Sequence, residues 1–159
     1  MRSPRPPATE NEELPVVDDF EELVRLVEER PGMYLRHSAG PAPDAEAGPS
    51  IDYEGEVRLP GLSATTISPE PWWPRSVADW IARRVCLYAE LGDEPERFPW
   101  LLTGRMVGRG PDHEPLVVDV HPVARIGESA LTAAEQHYRR HFHVGRTSRS
   151  RAWQSNASP

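Results

Sequence analysis

Residues 100–126 read WLLTGRMVGRGPDHEPLVVDVHPVARI, and this run predicts two β-strands joined by a glycine-proline turn. A helix is expected from about Glu128, because Leu131, Ala134, Tyr138 and Phe142 fall on one face. Upstream, Ser76 and Asp79 resemble a capping box in its acidic variant. Val77, Trp80, Ile81, Val85, Tyr88 and Leu91 then follow helical spacing until Gly92 ends the run. Leu62 to Ile67 (LSATTI) reads as a strand entered through the turn Pro60-Gly61, and Met33 to Arg36 (MYLR) as another. Asp18 and Asp19 are placed to cap a helix through about Glu29, with Phe20, Leu23, Val24 and Val27 on its apolar face. Pro31 and Gly32 stop it.

The resulting order is helix, strand, strand, helix, strand, strand, helix. It predicts an α+β fold: a small mixed or mostly antiparallel sheet with about three packed helices. The expected boundaries are a disordered segment over 1–13, one globular domain over 14–144 and a disordered Arg/Ser-rich tail over 145–159. Residues 37–55, rich in Ala, Pro, Gly and Asp, read as a long loop, a length usually associated with function or disorder.

Composition removes several kinds of chemistry. All 18 basic residues of the 159-residue chain are arginine, so no lysine is available for a Schiff base or a phosphate-binding loop. The single cysteine, Cys86, excludes an intramolecular disulfide and a thiolate zinc site, and its place in the helix predicts a core thiol. No apolar run approaches a membrane span. The first residues, MRSPRPPATENEE, lack the apolar segment of a signal peptide, so a cytoplasmic location is expected. The net charge is -7, with acids crowded before Glu29. Arg139, Arg140, Arg146, Arg149 and Arg151 make the C-terminal end basic. Contact between that end and the acidic body is the expected use of this asymmetry; nucleic-acid binding through the tail is a weaker alternative.

Four groups of residues carry possible chemistry. The first is Arg36, the hydroxyls Ser63, Thr65 and Thr66, and Glu114. An arginine fork suits a phosphate, hydroxyls orient a ribose, and a carboxylate stabilises positive charge at an anomeric carbon. The order Tyr34-Leu35-Arg36, Leu62-Ser63-Ala64-Thr65 and then Glu114 resembles the Arg–Ser/Thr–Glu layout of ADP-ribosyltransferases. That resemblance implies NAD as cofactor, held by Arg36, Ser63 and Thr65, with Arg36, Ser63 and Glu114 as catalytic residues. Two departures mark it: LSATT replaces a Ser-Thr-Ser strand, and Asp112 stands where a second Glu or Gln precedes the glutamate. The plainer account makes these a strand arginine, an edge strand and a solvated turn, with no cofactor. PEPWW, the DW-IARRVC helix and GRGPDHEPLV together resemble a family of small uncharacterised actinobacterial proteins, a similarity that covers most of the core and implies no activity.

The second group is His137, His141 and His143 in HYRRHFH. His137 and His141 are one helical turn apart, the spacing of shared metal ligands. No third ligand is evident and the neighbouring arginines oppose a cation, so no metal site is expected. The third group, Asp112-His113-Glu114 with His121, is explained as turn chemistry. The fourth is Trp72 and Trp73 between prolines. With the backbone so restricted, one indole is expected in the core and the other at a pocket or a protein contact, while Trp80 is expected in the core. The favoured expectation is a domain that acts by contact with an unknown partner protein through Trp72 and Trp73, with no membrane association. NAD-dependent ADP-ribosyl transfer is the alternative.

Overall fold

A computed structural model describes residues 14–90 and 96–142. In chain order the elements are β1 (Val16–Val17), α1 (Phe20–Glu29), β2 (Tyr34–Ser38), α2 (Pro41–Ala47), β3 (Ile51–Asp52), β4 (Val57–Arg58), β5 (Leu62–Ser63) and β6 (Thr65–Thr66), followed by α3 (Val77–Val85), α4 (Leu87–Glu90), β7 (Phe98–Arg109), β8 (Pro115–Ile126) and α5 (Glu128–His141). The fold is α+β with a curled, mostly antiparallel sheet.

The hairpin of β7 and β8 forms its spine, each strand 12 residues long. Its tip closes through Gly110 N–H to the Glu114 carbonyl at 2.8 Å and His113 N–H to the Gly110 carbonyl at 2.9 Å. β2 pairs antiparallel with the first half of β7, Leu35 opposite Leu101. On the far edge of β8, β5 pairs antiparallel with its start and β1 parallel with its end. β5 and β6 are separated only by Ala64, and β6 pairs with β2. The stretch 62–66 therefore hydrogen-bonds to both free edges and closes the sheet on itself.

Alternation along β7 divides the interior. Leu101 faces α1, α3 and α5 in the larger core, with Leu23, Met33, Ile81 and Ala130. Trp100 and Leu102 face the other way, into a smaller core with Leu62, Ala64 and Val117. Capping holds the helices in place. The Asp19 carboxylate accepts from Glu21 N–H, and Ser76 Oγ accepts from Asp79 N–H at 3.1 Å. α5 has no local side-chain cap, so Asp18 Oδ1 accepts from Ser129 N–H at 3.0 Å. This satisfies an orphan N–H of the first turn from the far end of the chain.

Four expectations need correction. The loop over 37–55 contains α2, which starts on Pro41 and is bounded by Gly40 (φ 123°) and Gly48 (φ 85°), and the β3–β4 hairpin follows it. LSATTI is two short strands, because Ala64 leaves the β2 side to pair with Pro115. The helix expected through Leu91 breaks at Cys86, whose carbonyl accepts from Ala89 N–H in a tight three-residue turn. Cys86 is half-buried rather than core. The expected termini, His143 and the basic residues beyond it lie outside the described residues, as do Leu91 and Gly92.

Candidate functional site

The region richest in binding chemistry is the corner between the PEPWWPRS turn and α3. Pro71 and Pro74 fix the backbone on either side of the two indoles. Trp73 donates its Nε1–H to the Ser76 carbonyl at 2.9 Å and packs on the larger core. Trp72 is left 69% exposed. The two rings meet edge-on at 6.2 Å, and both meet Trp80 edge-on, at 6.1 Å and 5.0 Å. These are the offset geometries that aromatic quadrupoles favour. The three rings line a groove of about 520 Å³.

Arg83, Arg84, Leu87 and Tyr88 line the same groove. The Arg84 guanidinium lies over the Trp80 ring at 5.0 Å, is half-buried and makes no ion pair among the described residues. Burial is the main influence on it and pulls its pKa below the usual arginine value, against weaker support from Tyr88 and Glu70. Trp80 Nε1 is buried without a hydrogen-bond partner among the described residues. This groove therefore combines exposed aromatic surface with a partly desolvated positive charge that forms no ion pair among the described residues.

Arg36, Ser63 and Glu114 come together, although mainly through bonds among themselves and their neighbours. Arg36 Nη1–H donates to the Ser63 carbonyl at 2.8 Å. Ser63 Oγ–H donates to Glu114 Oε2 at 3.3 Å. Glu114 folds back over the hairpin tip, its Oε1 accepting from Asp112 N–H at 2.9 Å. Thr65 lies one step along, opposite Leu35. Arg36 is engaged with a residue that sequence reasoning missed: its Nε–H donates to Asp44 Oδ2 at 2.6 Å and its Nη2–H to Oδ1 at 3.4 Å. Asp44 Oδ2 also accepts from Ser38 Oγ–H at 2.6 Å, and Ser38 Oγ accepts from Trp100 Nε1–H at 3.0 Å. A pocket of about 220 Å³ lies beside this network, lined by Pro41, Leu62, Trp100 and Val117.

The third cluster joins α3 to α5. Asp79, 7% exposed, contacts His137 Nε2 through Oδ1 at 2.7 Å and accepts from Arg75 Nε–H through Oδ2 at 3.0 Å. Burial pushes the Asp79 pKa up, but the bonds and charges of His137 and Arg75 outweigh it and hold the carboxyl below its ordinary value. His141 stacks on His137, with ring centroids 4.0 Å apart. His113 and His121 lie on the exposed hairpin, away from this cluster. The HYRRHFH motif gives no sign of Asp79; 58 positions of chain separate it from His137, and only the packing of α3 on α5 brings them together.

The fold and these sites define a small α+β domain with an aromatic, cationic groove on one corner. Residues 10–153 match the model of a family of unknown function, DUF6098, and the chain belongs to that family. No curated protein and no solved structure matches it. Among the described residues, no helix is long and apolar enough to cross a membrane.

Proposed function

We propose that this domain acts by protein contact, docking on the tryptophan corner a partner segment that carries a carboxylate beside proline or apolar side chains. The observation that carries the reading is Arg84, half-buried and without an ion pair among the described residues, in the same groove as the exposed Trp72. Burying a charge without a counter-ion is costly, and an incoming carboxylate removes that cost while forming a charge-assisted bond. Tryptophan and arginine are also the residues that dominate measured binding hot spots. Trp72 offers apolar area at little conformational cost, because its neighbours Pro71 and Pro74 restrain the turn.

An array of short peptides, with Asp or Glu placed next to proline, leucine or aromatic residues, tests this on the full chain. Acid-containing peptides are expected to be enriched over their amide counterparts. Trp72→Ala is expected to weaken the best of them by about 2 kcal/mol, roughly thirtyfold, with little change in melting temperature because the ring is exposed. Arg84→Glu is expected to shift the preference from acidic to basic peptides. Binding that is indifferent to both substitutions overturns the proposal.

A second reading, NAD binding for ADP-ribosyl transfer, is favoured by one observation: Arg36, Ser63 and Glu114 are linked in a single chain of hydrogen bonds. The Asp44 fork opposes it, since a phosphate would have to displace a carboxylate already at 2.6 Å. A saturable rise in melting temperature with millimolar NAD, lost in Glu114→Gln, is the outcome this reading requires. Without such a rise it fails.

A further inference from the structure

We infer that Asp79, His137 and His141 form a binding site for a zinc-class divalent cation, joining α3 to the last turn of α5. One ligand atom from each of the three residues lies within 4.8 Å of the others. Two imidazoles and one carboxylate are a donor set that suits zinc, nickel, cobalt or copper, whereas magnesium and calcium prefer oxygen alone. Three protein ligands leave a fourth tetrahedral position for water.

The surroundings prepare these donors in the way metal sites require. His141 Nδ1 lies 3.0 Å from the His137 carbonyl. Placing a proton there leaves Nε2 as a lone-pair donor. Arg75 binds Asp79 Oδ2 and leaves Oδ1 directed at His137. His137 Nε2 lies 2.7 Å from Asp79 Oδ1, and with the carboxylate ionised the bond needs a proton on Nε2. The cation displaces that proton to solvent, and the two atoms separate to the roughly 3.4 Å that bonds of about 2.0–2.2 Å to one tetrahedral centre demand. Both histidines sit at the C-terminal end of α5, where the helix dipole favours positive charge. Against this stand Arg75 itself and Arg140. Arg139 is matched by Glu135 at 3.0 Å. The balance predicts moderate affinity rather than a permanently loaded structural site.

Isothermal titration of the full chain with zinc, after treatment with chelator, is the test. One equivalent is expected to bind, and His141→Ala and Asp79→Asn are each expected to weaken it about tenfold or more. His141 is exposed, so its removal leaves the fold intact and the comparison clean. Cobalt is expected to give the visible absorption of a four-coordinate centre, absent in both variants. Wild-type affinity in His141→Ala, or no saturable heat with zinc at about a hundredfold excess over a micromolar constant, overturns the inference.

Discussion

Asp44→Ala is expected to cost about 3 kcal/mol of stability and to lower the melting temperature by roughly 10 °C. Asp44 and Arg36 are mostly buried, with 13% and 19% of their side-chain surface exposed, so water screens them little. The substitution leaves a guanidinium facing only the Ser63 carbonyl and deprives the Ser38 hydroxyl of its acceptor. That hydroxyl also receives Trp100 Nε1–H and Gly40 N–H, so the loss spreads into the smaller core. The double substitution Arg36→Met with Asp44→Leu is expected to recover most of the deficit, because both charges disappear together. Urea unfolding of the three proteins measures this directly. A loss below about 1 kcal/mol, the scale of an exposed pair, would mean that solvent screens the fork and that Arg36 is free to meet a phosphate. The same reasoning makes Arg36→Ala a poor probe of NAD binding, since it disturbs the fold whether or not NAD binds. Glu114→Gln avoids that confusion.

Trp100→Ala is expected to cost about 4 kcal/mol, within the range for deleting a buried aromatic side chain. Trp100 is fully buried and is the largest member of the smaller core, in one cluster with Leu62, Leu102 and Val117. The indole also lines the 220 Å³ pocket, so truncation merges the void it leaves with an existing one, and little around it is free to collapse. Trp100→Phe keeps most of the packing and loses the bond to Ser38, so a smaller penalty of about 1–2 kcal/mol is expected. Calorimetry on the two variants separates the packing contribution from the hydrogen bond. If alanine and phenylalanine cost the same, the hydrogen bond rather than the packing secures this side of the sheet.

The hairpin, α1, α3 and α5 were legible because each carries a local signal: a glycine-proline turn in the hairpin, a period of 3.6 in the helices, and the capping side chains Asp19 and Ser76 in α1 and α3. α2 was missed although Pro41 at its first position and glycines at both ends were visible, because its apolar content is too low to show a face. β1 is two residues long, and no local pattern marks a strand whose partners Arg125 and Ile126 lie at the other end of the chain. The same limit governed the sites. Trp72, Trp73 and their flanking prolines are contiguous, so their division into one packed and one exposed ring could be anticipated. Asp44 is only eight residues from Arg36, yet treating its segment as loop hid the pair. Asp79 could be read as a helix-capping residue but not as the partner of His137, which depends on how two helices cross.

The strand that closes the sheet has a consequence for how the chain assembles. Ser63 and Glu114 are 51 residues apart, and during synthesis the 62–66 stretch leaves the ribosome well before β7 and β8 exist to receive it. Until then one of its edges has no partner, and the N-terminal half has no sheet to complete. The β7–β8 hairpin forms locally, but ring closure waits for a contact of high sequence separation, which places folding toward the slow, non-local end of the range for small domains. Late closure also ties both cores to one event, so the two halves of this chain are not separable folding units.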